Sequence, residues 1–205
     1  MRRVFISYHH ENEQYVKNNL LDLNHAHSIF VDCSVDTGDV DENLEPQQIR
    51  QTIRRNYLSE STVLLLIVGK ETSFRKHVDW ELYSSMYNGP KFGRSGVVVL
   101  HASDCESEYY TAPFNEVKER LYPNVSSWTT ITNRDEYERR YPYLPPRIID
   151  NLVKGGSKIS VTNWSKVINS PENLRLLIEC AHNGRTSCEY DMSRPMRMRD
   201  HNPLW

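Results

Sequence analysis

Glu81 is a candidate catalytic residue. It lies in a segment whose spacing of apolar residues predicts a helix. The apolar stripe of this helix contains Val78 and Leu82, and Glu81 lies beside the stripe rather than opposite it. His77 stands four residues earlier, so its imidazole can reach the carboxylate and tune it through a hydrogen bond. Such a carboxylate is either a functional group at the border of a site or a salt-bridged residue at a helix edge.

The elements that must position Glu81 alternate between strand and helix. Apolar runs predict four strands, at residues 4–6, 29–31, 61–68 and 97–100, with helical spacing between them. The third run shows no alternation, as expected for a strand that is buried on both faces. Continuous apolar strands that alternate with helices predict an α/β fold, in which helices cover both faces of a doubly wound parallel sheet.

The second half of the chain has a weaker pattern. Its polar and Pro-rich composition predicts an appended region rather than a second domain of equal size. We predict one sheet domain over residues 1–155 and a C-terminal helical and irregular extension, packed on it, over 156–205. The elements expected there are a short fifth strand at 128–131, helices at 147–153 and 171–181, and a solvated tail at 191–205.

Ligands of open parallel sheets bind beyond the carboxyl ends of the strands, where the strand order switches. That rule selects the segments 7–10, 32–34 and 69–72, and residue 101. The segment at Gly69-Lys70 is not a Walker A loop, because the glycine required five residues earlier is Leu64. A phospho-receiver site is also excluded, because Ser7-Tyr8 stands where its acidic pair is required.

Composition excludes several other classes of protein. The 205 residues include 25 basic and 27 acidic side chains, with a formal net charge of −2, which argues against a nucleic-acid partner. No apolar run approaches the roughly 18 residues that span a bilayer, so we expect no membrane partner. Without a signal-peptide pattern or paired cysteines, the sequence predicts a cytoplasmic protein with neither a disulfide framework nor a metal site.

Four segments carry a resemblance to a known family. They are Phe5-Ile6-Ser7-Tyr8-His9, Phe30-Val31-Asp32-Cys33-Ser34, the run 63–69, and the run 74–81. They resemble the first box, the second strand with the start of the BB loop, the third strand, and the glutamate helix of the TIR domain family. The match is closest to the bacterial, ThsB-like branch of Thoeris antiphage defence. The resemblance covers about residues 2–102 and implies a flavodoxin-like sheet.

The resemblance implies an enzyme that cleaves the nicotinamide–ribose bond of NAD. Such enzymes hydrolyse the bond or transfer ADP-ribose to an acceptor, and so act as NAD nucleosidases or ADP-ribosyl cyclases that make a signal. Glu81 would then be the catalytic group, because a carboxylate held against the ribose stabilises an oxocarbenium-like charge. NAD is the expected substrate and no further cofactor is implied. Self-association on activation and a phage-derived trigger are the other expected partners.

The resemblance also assigns residues to NAD binding. Phe5, Ser7 and Tyr8 would border the nicotinamide and the ribose, and His9 would contact the ligand. The segment Asp32-Cys33-Ser34 would open the loop over the nucleotide, and His77 would flank Glu81. Many members of the family have Trp four residues before the glutamate, where this chain has His77.

Two alternatives to an NAD-cleaving enzyme stay open. A non-catalytic TIR-like module would assemble through its BB loop and helices, and the replacement of Trp by His77 keeps this alternative open. A nucleoside deoxyribosyltransferase-like enzyme would also use a glutamate against a ribose carbon, but its Gly-Pro run after the first strand is absent. The retained carboxylate of Glu81 beside an apolar stripe favours the NAD-cleaving enzyme.

Overall fold

A parallel sheet is the centre of the molecule. The computed structural model describes residues 1–34, 40–41 and 43–200. Its described strands form one five-stranded sheet in the order β2-β1-β3-β4-β5, which is the flavodoxin-like order. This confirms the predicted fold class. The strands are β1 (Arg2–Ser7), β2 (Phe30–Asp32), β3 (Val63–Val68), β4 (Gly96–His101) and β5 (Ser160–Asn163).

Helices cover both faces of this sheet. They are α1 (His10–His27), α2 (Pro46–Asn56), α3 (Lys76–Met86), α4 (Asn115–Leu121), α5 (Arg134–Arg140), α6 (Pro146–Lys154) and α7 (Pro171–Gly184). Helices α1, α4 and α7 pack on one face, and α2, α3, α5 and α6 pack on the other. None of the helices in the described part of the chain combines the length and apolar composition that crossing a bilayer requires.

The apolar strands divide their side chains between two cores. In β3, Leu65 and Ile67 face α1 and α7, whereas Leu64 and Leu66 face α2 and α3. Successive side chains of a strand point to opposite faces, so a strand with helices on both sides must be apolar throughout. The prediction that the run without alternation is buried on both faces is therefore confirmed.

The fifth strand differs from the predicted one. Residues 128–131 form no strand, and Trp128 instead packs edge-on against the rings of Tyr110 and Tyr122. The fifth strand is Ser160–Asn163, which pairs with β4. It has only four residues, and hydroxyl side chains interrupt its apolar pattern, so its strand state depends on β4 rather than on a local signal.

The tail is also not the solvated terminus that the sequence predicts. Arg147, on α6, donates to the carbonyl oxygens of Arg194 and Pro195, each at 3.0 Å. The backbone N–H of Arg197 donates to Asp79 Oδ2 at 2.8 Å. The tail is therefore tied to α3 and α6 up to residue 200, and residues 201–205 lie outside the described part.

The segment after residue 155 completes the sheet. It supplies β5 to one edge and α7 to one face, where Leu174 and Leu177 are fully buried. The division into residues 1–155 and 156–205 stays a prediction. The second half of the chain therefore covers the sheet.

Gly69 follows β3 and contacts the first turn of α1. A Cβ at this position would overlap the carboxylate of Glu13, which accepts a hydrogen bond from the backbone N–H of His9 at 2.9 Å. We expect Gly69→Ala to displace Glu13 and to lower the free energy of unfolding by about 1–3 kcal/mol. Urea denaturation measures this loss. Gly93→Ala is the control, because the nearest atom to its added Cβ is 4.0 Å away; equal losses in both variants would contradict the proposed overlap.

Candidate functional site

A cavity opens beyond the carboxyl end of β1, beside the first two turns of α3. Its volume is about 320 Å³, at the lower end of the range for ligand pockets. It lies at the point between β1 and β3 where the strand order reverses, which is where the sequence predicts a ligand. The described residues that line it are Tyr8, His9, His10, Glu11, Arg75, His77, Val78, Glu81 and Asp200.

Glu81 is the buried acidic group of this cavity. Its residue is 5% exposed, and Ser7, the last residue of β1, donates its hydroxyl to Glu81 Oε2 at 2.6 Å. Burial raises the pKa of Glu81 to about 8, although the Ser7 hydrogen bond and the charge of Lys17 oppose the shift. The carboxylate is therefore poorly solvated, and a cation that enters the cavity would stabilise its charged form.

Tyr8 forms a fixed aromatic wall of the cavity. Its hydroxyl donates to Gln14 Oε1 at 2.8 Å and lies 3.3 Å from Lys17 Nζ. Its ring stacks on His10, with 4.3 Å between the ring centroids. Both the ring and the hydroxyl group are held, so Tyr8 needs no further ordering to form part of the wall.

His9 lines the cavity next to a second buried carboxyl group. Its Nδ1 lies 4.0 Å from Glu13 Oε2, the oxygen that accepts its own backbone N–H. Burial, with a contribution from the charge of Arg75, lowers the pKa of His9, and burial raises the pKa of Glu13 to about 7. Both shifts favour the neutral forms of these two side chains.

Arg75 and Asp200 are cavity residues that the sequence analysis missed. Arg75 precedes α3 and forms an ion pair with Glu71. Asp200 accepts the backbone N–H of Lys76 at 2.7 Å, so the tail contacts the first turn of the helix that carries Glu81. Its position in the first turn of the predicted helix, close to Glu81, was a signal for Arg75. Asp200 had none, because it contacts a residue 124 positions away in the chain.

Four of the predicted site residues line the cavity, and a fifth lies behind it. Tyr8, His9, His77 and Glu81 form parts of its wall, and Ser7 holds the Glu81 carboxylate. The His77 ring also lies edge-on to Trp80, at 4.9 Å between centroids. The parallel strands and the first turns of α3 bring these groups together, but their roles in binding stay predictions.

The other predicted residues lie elsewhere. Phe5 is 1% exposed and packs in the core between the sheet and helices α2 and α3. Asp32 accepts the backbone N–H of Ser34 at 2.9 Å, and Ser34 Oγ accepts that of Ile6 at 2.9 Å. Cys33 donates its N–H to the carbonyl of Val4. These bonds join the start of the predicted loop to β1; residues 35–39 and 42 of that loop lie outside the described part.

Among the described residues, no three side chains of His, Cys, Asp or Glu come together as metal ligands would. The cavity is lined by one buried carboxyl group, three imidazoles, the ring of Tyr8 and one guanidinium group, together with the more exposed carboxylates of Glu11 and Asp200. This arrangement can bind a ligand that carries both a positive centre and negative oxygens.

About half of the chain matches a known family. Residues 5–105 match the model of a family described as Thoeris protein ThsB, TIR-like domain. The matched segment runs from β1 past β4 and includes Ser7, Tyr8 and Glu81, whereas α4 to α7 and β5 follow it in the chain. No curated protein matches the chain significantly.

Proposed function

The chain belongs to the Thoeris ThsB TIR-like family, and from this membership we propose that it is an enzyme that cleaves the nicotinamide–ribose bond of NAD. One observation carries the proposal: the buried Glu81 carboxyl group, held by Ser7, borders a cavity at the switch point of the sheet. The proposed product is a cyclic or conjugated ADP-ribose that serves as a signal in antiphage defence.

The reaction needs a carboxylate more than an acid. When the glycosidic C–N bond of NAD breaks, both electrons stay with the ring nitrogen, so nicotinamide leaves as a neutral molecule. Positive charge then develops on the ribose as an oxocarbenium ion until water or a hydroxyl group attacks. The ionised Glu81 would stabilise this charge, and it would do so strongly because its surroundings exclude water.

Substrate binding would also set the protonation state of Glu81. The pKa of Glu81, about 8, leaves the group mostly protonated at pH 7. The nicotinamide ring of NAD is a cation, and a nearby positive charge favours the ionised carboxylate. Binding of NAD is therefore coupled to release of a proton, and the charge would appear where the reaction uses it.

Other groups of the cavity suit the rest of the dinucleotide. The stacked pair of Tyr8 and His10 offers a flat face to a ring of the substrate. Arg75 offers a positive charge to the pyrophosphate, because a guanidinium group binds phosphate oxygens in a fixed geometry. These contacts would orient the ribose against Glu81.

The experiment that tests the proposal measures nicotinamide release. The full chain is expressed in bacteria, NAD and nicotinamide are followed with and without phage infection, and the purified chain is assayed at increasing concentration. We expect NAD loss after infection or on self-association. Intact NAD under every condition, with the protein folded and present, would overturn the proposal and favour the non-catalytic interaction module.

Ser7→Ala tests the hydrogen bond to the catalytic carboxylate. The hydroxyl stabilises the ionised form of Glu81, so its loss raises the pKa of Glu81 further. We expect the rising limb of kcat/KM against pH to move upward by about one unit, the size of a lost charge-assisted hydrogen bond. Ser84→Ala is the control, because the buried hydroxyl of Ser84 has no partner among the described residues. An unshifted profile would show that Ser7 does not tune Glu81.

A further inference from the structure

A second cavity lies toward the opposite ends of the strands from Glu81. Its volume is about 500 Å³, and it lies between α2 and the segment 87–92 that follows α3. Because α2 precedes β3 and this segment precedes β4, the cavity borders the amino ends of these strands. No described residue lines both cavities.

The walls of this second cavity carry a concentration of positive charge. Its basic lining residues are Arg50, Arg54, Arg55 and Lys91, and none of the described lining residues is acidic. In the part of the chain that the structure describes, no ion pair joins any of the four to a carboxylate. The cavity is therefore locally basic, although acidic residues outnumber basic ones in the chain as a whole.

Arg54 is the most informative of the four. It is 7% exposed, and its guanidinium donates to the carbonyl of Gly93 and, at 3.4 Å, to Ser95 Oγ. Its Nε is buried without a hydrogen-bond partner, and burial lowers the pKa of Arg54 to about 10. A buried cation without a carboxylate costs free energy, and a bound anion would offset that cost.

Aromatic rings complete the wall. The Arg50 guanidinium lies 3.8 Å from the centroid of the Tyr87 ring. Lys91 Nζ lies 5.3 Å from the Phe92 centroid, and the Arg54 guanidinium 5.7 Å. Cation–π contacts hold the charged groups in place, and an aromatic ring beside them can take a flat heterocycle.

We propose that this second cavity binds a small nucleotide, whose phosphates contact Arg50, Arg54 and Arg55 and whose base packs against Phe92 or Tyr87. Guanidinium groups recognise phosphate oxygens through paired hydrogen bonds, and the cavity has room for a mononucleotide. The site is separate from the cavity of Glu81 and does not depend on NAD cleavage.

Calorimetric titration of the full chain tests the chemistry of the ligand. The probes are ADP, inorganic pyrophosphate and adenosine, each at two salt concentrations. We expect ADP to bind most tightly and pyrophosphate to bind more weakly. Adenosine should bind at least tenfold more weakly than ADP. Added salt should weaken the binding of ADP and of pyrophosphate, because both are anions. Equal binding of adenosine and ADP, or no binding of ADP at millimolar concentration, would overturn the proposal.

Substitutions locate the site. Arg50→Gln combined with Arg55→Gln is expected to weaken ADP binding at least tenfold, whereas Arg120→Gln combined with Lys154→Gln removes the same charge elsewhere and should leave it unchanged. Arg75→Gln probes the cavity of Glu81. ADP binding that falls in Arg75→Gln and survives in the Arg50 and Arg55 variant would overturn the assignment. If the double variant of Arg50 and Arg55 fails to fold, Lys91→Gln replaces it, because Lys91 is exposed. A smaller loss of ADP affinity is then expected.

Discussion

Glu81→Gln is expected to lower the rate of NAD cleavage by roughly 10²- to 10³-fold, the scale of losing one preorganised electrostatic group in a catalytic site. Glutamine has the same shape, and its amide oxygen can still accept the Ser7 hydroxyl. The substitution therefore removes the negative charge while it keeps the packing of α3. Single-turnover release of nicotinamide measures the effect.

The pH dependence of stability shows whether the variant is folded and whether Glu81 is buried as described. The pKa of Glu81 is about 8 in the folded chain and about 4.5 in the unfolded chain. The stability that its neutral carboxyl group contributes is therefore fully present below pH 4.5. It is lost as the pH rises through 8. Glutamine does not titrate. We therefore expect Glu81→Gln to match the parent chain at acidic pH and to have the higher Tm above pH 8.

Glu11→Gln is the matched control for activity. Glu11 lines the same cavity, but its side chain is 82% exposed, so its charge is screened by water. We expect a change of a few-fold at most. If Glu81→Gln kept nearly full activity, or if both substitutions reduced activity equally, Glu81 would not be the catalytic group.

Arg147→Met is expected to lower the free energy of unfolding by about 3–5 kcal/mol, because it leaves a carboxylate buried without its partner. Arg147 is fully buried and donates to both oxygens of Asp79, at 2.8 and 3.0 Å. Its remaining donors satisfy two carbonyl groups of the tail. One side chain therefore joins α3, α6 and the tail. Urea denaturation measures the loss.

The double variant Arg147→Met/Asp79→Leu separates the cost of the unpaired Asp79 carboxylate from the cost of losing the Arg147 side chain. Adding Asp79→Leu removes the orphaned carboxylate, so we expect it to recover part of the stability that Arg147→Met loses. The tail should still be released in both variants. Trypsin is then expected to cleave after Arg197 and Arg199 faster than in the parent chain. Cleavage at the parental rate would show that Arg147 does not hold the tail.

Local periodicity of the sequence predicts the alternation of strands and helices. It also predicts the end of the sheet at which a site forms. Leu64 to Ile67 are apolar without a break, and such a run requires cover on both faces. Parallel strands then place the segments that follow β1 and β3 at the same end of the sheet. These conclusions follow from local periodicity and from the handedness of crossovers, which need no knowledge of particular contacts.

Contacts between side chains that are distant in the sequence are visible only in the folded structure. Periodicity shows that a face is buried but not what covers it, so neither the pairing of β5 with β4 nor the packing of Phe5 in the core could be read from spacing. Asp200 reaches α3 across 124 residues, and Arg147 reaches Asp79 across 68. Such contacts depend on the folded path of the whole chain, because a single polar residue becomes a partner only when burial leaves another group unsatisfied.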